Sequence, residues 1–236
     1  MKRTLAILLL TLTALYAAAQ TPDTIRVPDQ QPSETYEAER HRTRDTAVYQ
    51  GTYVKLDLFN PAFEALRAKG RVQDYEVMVS VRLKQRFYPA IELGYAQAKD
   101  SANGGHYSGK GGFIRLGTDI NGLKKHPESP HALLVGVRIG TAVQGYDLTG
   151  IYRHDDYWQT ARGTYTGITR ADVWGEVIGG CNVQIAGGFH MGWYIRLKVL
   201  FTRTDSDNGP LPYYIPGFGY RDDMNWGFNY YIAWRF

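Results

Sequence analysis

The chain has 236 residues, a net charge of +4, 14% aromatic residues with 18 Tyr among them, and 26 Gly. Its positive residues are dispersed among acidic ones, which excludes the basic stripe of a nucleic-acid binder, and its single Cys excludes an internal disulfide framework. Helix-forming Ala, Leu and Glu stretches are scarce after Gly70, so the composition favours strands over helices.

At the N-terminus, Lys2 and Arg3 precede an apolar run from Leu5 to Ala18 that ends in the small residues Ala17, Ala18 and Ala19. Charge, apolar core and small-residue site in that order predict a cleavable signal peptide over residues 1–19. The run is shorter than the roughly 20 residues of a spanning helix, and no Cys follows it to carry a lipid anchor. Residues 20–48 are polar, contain Pro22, Pro28 and Pro32, and lack apolar periodicity, so they read as a flexible periplasmic tail. Arg40, Arg42 and Arg44 alternate near its end. A solvated linker accounts for them, with a contact site for a partner or cell-wall material as the alternative.

From residue 49 to residue 236 the sequence alternates with period two. Val54, Leu56 and Leu58 oppose Lys55 and Asp57. A short helix is expected next, with Asn60 as cap, Pro61 at its first position and Gly70 as its stop. Tyr75, Val77, Val79, Val81 and Leu83 then oppose Glu76, Ser80 and Arg82. Phe87, Ile91, Leu93 and Tyr95 oppose Glu92 and Gly94. Ile114, Leu116 and Ile120 oppose Arg115, Gly117 and Asp119. Leu133, Val135, Val137 and Ile139 oppose Gly136, Arg138 and Gly140. Val173, Val177, Cys181, Val183 and Ile185 oppose Asp172, Glu176, Gly180, Asn182 and Gln184. Phe189 to Phe201 alternates with His190 to Thr202, and Trp226 to Phe236 alternates with Asn225 to Arg235.

This makes about eight strands, with short connections near Lys84–Arg86, Asn121–Pro130 and Ala186–Gly188. Long connections are expected at Asn60–Gln73, Lys99–Gly111, Gly145–Arg170 and Asp205–Asp223. Short turns at one end and long loops at the other, with an even strand count, predict an all-β fold: an eight-stranded antiparallel transmembrane β-barrel with a disordered N-terminal tail and one short loop helix. A soluble barrel would also alternate, but with its apolar face inward. Here the polar face carries Gly and paired charges, which suits a narrow lumen, and the apolar face carries aromatics at the strand ends, which suits two bilayer interfaces. The terminal Phe236 reads as an outer-membrane sorting signal.

The polar faces bring Lys55, Arg82, Arg115, Arg138, Arg196, Lys198 and Arg235 together with Asp57, Glu76, Glu92, Asp119, Asp172 and Glu176. An eight-stranded barrel holds little more than its own side chains, and buried charges are costly unless paired. A closed charge network is therefore expected in the lumen, with a narrow gated channel as the alternative.

No catalytic or metal set emerges, and no cofactor is expected. His126 and His131 are separated by Pro127 and Pro130, which read as a turn. His154, Asp155 and Asp156 cluster in a long loop, as solvated charges usually do, and are the candidate site of a lipid-active barrel enzyme. Asp205, Asp207 and Asn208 lack the distal Glu of a calcium loop. Ser80 with Glu76, or Ser108 with His106, has no spacing that selects a nucleophile and base. The aromatic, proline-stiffened stretch with Tyr213, Tyr214, Ile215, Pro216, Phe218 and Tyr220 reads as a partner-contact loop. Packing against neighbouring loops, through Tyr146, Tyr152, Tyr157 or Trp158, is the alternative.

Between Tyr53 and Phe236 the chain resembles the Bacteroidota outer-membrane proteins grouped as domain of unknown function 6048. The resemblance is carried by Val54–Leu58 with the short helix, Ile91–Gly94, Tyr157–Trp158, Trp174–Glu176, Tyr194–Leu197 and the Tyr-Ile-Pro-Gly-Phe of Tyr214–Phe218. It implies an outer-membrane barrel and no catalytic residues, and it suggests an accessory of the outer-membrane barrel-assembly machinery. The expected function is a non-enzymatic structural or interaction subunit, in contact with outer-membrane lipid and a protein partner.

Overall fold

In the computed structural model, residues 48–59, 71–84, 86–102, 105–123, 129–153, 161–202 and 210–236 are described. They all fall within one compact unit, Thr43–Phe236. The signal peptide, nearly all of the tail, the expected helix at Asn60–Gly70, His126, the cluster His154–Asp156, Tyr157, Trp158 and Asp205–Asn208 lie outside the described residues.

Alternating sequences become strands β1 (Tyr49–Asp57), β2 (Val72–Leu83), β3 (Phe87–Ala102), β4 (Gly105–Asn121), β5 (Ala132–Arg153), β6 (Ala161–Ala186), β7 (Phe189–Leu200) and β10 (Met224–Arg235). Between β7 and β10 lies a small hairpin of β8 (Tyr214–Ile215) and β9 (Gly219–Tyr220). The eight long strands form one antiparallel sheet that closes on itself in the order β1-β10-β7-β6-β5-β4-β3-β2. Closure pairs Tyr53 with Arg235 and Asp57 with Tyr231. It removes both sheet edges, so the ladder hydrogen bonds of every strand find a neighbour on each side along the closed part. No helix among the described residues is long and apolar enough to cross a membrane.

The two ends differ. At the turn end, Lys84–Arg86 and Gly187–Gly188 make tight connections, with Lys84 (φ 45°) and Gly187 (φ 52°) in the left-handed region that such turns need. Both ends of the barrel chain meet there: the amides and carbonyls of Thr52 and Phe236 exchange bonds of 3.2 and 2.9 Å.

At the opposite, loop end the strands run further than the alternation suggested. The expected loop Lys99–Gly111 is paired strand, with β3 and β4 joined only through residues 103 and 104. The expected loop Gly145–Arg170 is also mostly strand, since β5 continues to Arg153 and β6 begins at Ala161. The reason is a reversal of phase. Along the closed part, outward residues are apolar and exposed, with Val135, Val137 and Ile139 each at 56%, while the inward face holds the buried charges together with glycines and buried rings. In the extension the inward residues are apolar, namely Ala96, Ala98, Tyr107, Tyr146 and Leu148, and the outward ones are Gln97, Lys99, Ser108, Lys110 and Asp147. Two register shifts in the β5–β6 ladder, at Tyr146/Leu148 and Thr149/Ile151, blur the pattern further.

Candidate functional site

The interior of the barrel is the densest concentration of polar chemistry in the chain, and it is stacked in three layers. Nearest the turn end, Tyr53, Met78, Tyr88, Leu134, Ile178, Tyr194 and Tyr231 form an apolar floor with several Ala residues. The rings of Tyr194 and Tyr231 stack at 5.1 Å. Inward glycines make room for these bulky groups. A Cβ on Gly180 would meet the Tyr194 ring at 2.6 Å, and one on Gly192 would meet the Tyr231 ring at 2.6 Å. The cross-section of a small barrel is thus shared between full-sized rings and positions with no side chain at all.

Above the floor lies the charge layer. Glu92 sits at its centre and takes Arg115 at 2.9 Å, Arg138 at 3.0 Å and Arg196 at 2.8 Å. Glu76 bridges Arg115 (2.8 Å) and Arg196 (3.1 Å), and Glu176 bridges the same pair at 2.9 and 3.0 Å. Arg138 also forks onto Asp119, with its two terminal nitrogens at 2.6 and 2.9 Å. Six strands contribute, so the sheet must close before the network exists. Each guanidinium answers at least two carboxylates, which is what full burial requires of charges. Trp174 donates its indole N–H to Glu176 at 2.6 Å, and Asn229 links Arg196 (2.6 Å) to Asp57 (2.9 Å).

The remaining charges of the expected network take other partners. Lys55 donates to the Tyr194 hydroxyl at 2.7 Å and lies 5.0 Å from the Tyr231 ring centre. Asp172 pairs with Arg221 at 3.0 Å, a cation outside the expected set. Arg82 lies over the Tyr88 ring, and Arg235, half-buried at the turn end, donates to the Gln50 carbonyl at 3.0 Å. Lys198 answers a third layer rather than a carboxylate.

That layer is the β8–β9 hairpin, which enters the barrel as a plug. As a partner-contact loop its six residues were expected to face outward, and for four of them this is corrected: Tyr214, Ile215, Pro216 and Phe218 are buried, whereas Tyr213 and Tyr220 remain half exposed. Ile215 and Phe218, both 0% exposed, pack with Phe113, Ala142 and Trp174. The charge layer holds the plug through its backbone. Arg115 donates to the Gly217 carbonyl at 2.7 Å, and Lys198 donates to the same carbonyl at 2.7 Å and to that of Phe218 at 3.2 Å. Tyr107 donates to the Tyr214 carbonyl at 3.0 Å and Tyr146 to that of Pro210 at 2.6 Å, so the loop does pack on the neighbouring strands. Gly217 has φ 75° and lies against the Phe113 ring, where a Cβ would come within 2.6 Å.

Among the described residues no three His, Cys, Asp or Glu side chains converge as a metal site. Glu76 is committed to two arginines, and the Ser80 hydroxyl, four residues further along β2, makes no hydrogen bond. His106 bonds Ser101 at 2.8 Å rather than Ser108. His190 is buried against the Tyr53 ring at 5.1 Å with Asn182 at 3.2 Å. Cys181 is a half-buried residue of the wall. A cavity lined by Lys55, Glu76, Tyr194, Arg196 and Asn229 measures about 10 Å³, room for at most one water.

Sequence reasoning missed the plug, Trp174, Asn229 and the Tyr194–Tyr231 stack. The available signal was the run of inward glycines, since each marks a large side chain opposite. Compared with known proteins, the sequence matches the family described as Domain of unknown function (DUF6048) over residues 1–236. No curated protein matches it.

Proposed function

The chain belongs to the DUF6048 family, and we propose that it is an outer-membrane β-barrel with a closed lumen, acting as a non-enzymatic structural or interaction subunit. The observation that carries this reading is the reversal of phase along β3, β4 and β5. Up to Tyr95 and Val143 the outward residues are mainly apolar and the charges face inward; beyond them, Gln144 and Asp100 apart, the apolar residues face inward and the polar ones outward. A strand in water keeps its apolar face on one core from end to end. A strand that leaves a bilayer for water must exchange its faces at the boundary. On β5 the outward apolar run from Leu133 to Val143 spans ten steps. At about 3.4 Å per residue and a tilt near 40°, it covers roughly 26 Å, close to the apolar band of outer-membrane barrels. Outward aromatics rim this band, with Tyr75, Tyr95 and Trp226 above and Phe87, Trp234 and Phe236 below.

The filled interior supports the second half of the reading. Floor, charge layer and plug lie in series among the described residues of the lumen, which favours a closed barrel over a channel. What is left to act is the outer wall and the extension beyond it. The test is fractionation with heat-dependent gel mobility, followed by affinity purification in mild detergent. The reading expects outer-membrane location, a mobility shift on boiling and a stoichiometric protein partner, with the barrel-assembly machinery as the first candidate to probe. A soluble periplasmic protein with no shift would overturn the barrel assignment. A clean monomer in several mild detergents would overturn the subunit role.

A further inference from the structure

We propose that the outer wall of β3 and β4, at the upper edge of the apolar band, is a docking site for the phosphate headgroup of an outer-leaflet lipid. The inference rests on the membrane reading above. Lys99 and Lys110 both point outward and are exposed. The register pairs Lys99 with Ser108 and Gln97 with Lys110, which makes the two lysines diagonal neighbours across the ladder. Such neighbours lie roughly 7 Å apart at the backbone, within reach of one another. Among the described residues neither ammonium has a hydrogen-bond or ion-pair partner. Like charges so placed repel unless an anion lies between them. Gln97 and Ser108 complete a set of four side chains that can all donate.

Two carboxylates lie nearby, and the bond that Asp147 accepts from a neutral amide leaves its charge in place beside Lys110. Asp147, opposite Ser108 on β5, accepts the Gly167 amide at 2.7 Å. Asp100 faces the other side of the sheet and pairs with Arg71 at 3.6 Å.

Below the lysines the wall is shaped for a chain. Gly112 pairs with Tyr95 on one side and with Val143 on the other, and Gly145 pairs with Lys110. A Cβ on Gly112 would meet nothing closer than 3.7 Å, and one on Gly145 nothing closer than 4.0 Å. Gly112 therefore leaves a shallow trough between Tyr95 and Val143, one row below Lys110, and Gly145 leaves the wall open beside that lysine. An acyl chain fills the trough while its headgroup phosphate receives the lysines. Each such contact at a membrane surface is a modest electrostatic attraction, and two of them change affinity by roughly tenfold to thirtyfold.

The experiment is native mass spectrometry of the full chain released from detergent micelles, with monophosphoryl lipid A or its dephosphorylated form added. Wild type is expected to retain the phosphorylated lipid at least tenfold better than the dephosphorylated one. The K99A/K110A double variant is expected to lose that preference, K99R/K110R to keep it, and Gly112→Leu to weaken retention by filling the trough. Equal retention of both lipids by wild type, or an unchanged preference in K99A/K110A, overturns the site even where the barrel is intact by its gel shift. Failure of wild type to show the shift or to partition into membranes overturns the membrane reading instead, and the site with it.

Discussion

At the scale of single residues, Glu92 carries more than any other side chain. Three guanidinium groups converge on its two oxygens, and it is 0% exposed. Glu92→Ala leaves Arg115, Arg138 and Arg196 short of negative charge inside the lumen, a loss of about 3–5 kcal/mol for a buried network. Asp100→Asn removes a partner from an exposed pair at 3.6 Å, where the expected loss is only about 0–1 kcal/mol. The temperature at which the folded gel band converts to the unfolded one should fall by many degrees for Glu92→Ala and hardly at all for Asp100→Asn. Equal shifts would mean that the lumen is hydrated well enough to screen its charges. The charges of this layer were legible from the sequence because they occur at every second position. Which cation meets which carboxylate was not, because the partners lie on strands far apart in the chain; Glu76 and Arg196, for example, are separated by 120 positions.

At the scale of elements, strands were legible where the two faces differ strongly and obscure where they exchange. β7 and β10 show one phase along their length, so their limits agree closely with the alternation. β5 and β6 change phase at the loop end and carry bulges, so residues such as Tyr146, Leu148 and Ile168 look like loop until the sheet is seen to bury them. The plug was obscure for another reason. Aromatic loop residues are compatible with an exposed contact or with a buried stopper, and only closure of the barrel supplies the space that selects the second. Its anchoring can be tested at the turn. Gly217→Ala must place a Cβ where φ is 75° and the Phe113 ring is 2.6 Å away, at a cost of about 1–3 kcal/mol. The hairpin should then become cleavable at Tyr213, Tyr214 or Tyr220 by chymotrypsin in intact cells, with the barrel strands still protected. Resistance equal to wild type would show that the cation–carbonyl contacts hold the plug without the turn. Replacing residues 212–219 with a Gly-Ser linker should still give no conductance steps in planar bilayers, because the charge layer and the tyrosine floor remain beneath. Steady single-channel steps in that variant would make the hairpin a gate and the protein a channel.

At the scale of the whole molecule, the question is which solvent the outer wall meets, and one substitution separates the answers. Val137 lies mid-strand on β5, faces outward at 56% exposure, and has Thr118 and Val177 as its ladder neighbours. It sits near the middle of the apolar band, roughly 10 Å from the Leu133 edge and about 16 Å from the Val143 edge by the same rise and tilt. In a bilayer, Val137→Arg puts a guanidinium at the midplane of the hydrocarbon, at a cost of about 2–4 kcal/mol. In water the same change exposes a charge on an already exposed position and is worth within about 0.5 kcal/mol. His106→Ala is the matched control: it is exposed on the same outer surface but above the band, so it should leave stability unchanged in either solvent. Refolding into phosphatidylcholine vesicles and titrating with guanidinium chloride reads both variants on one scale. A loss confined to Val137→Arg fits a lipid-facing wall. Two unchanged variants would place the wall in water, and the apolar band would then have to be covered by protein rather than lipid.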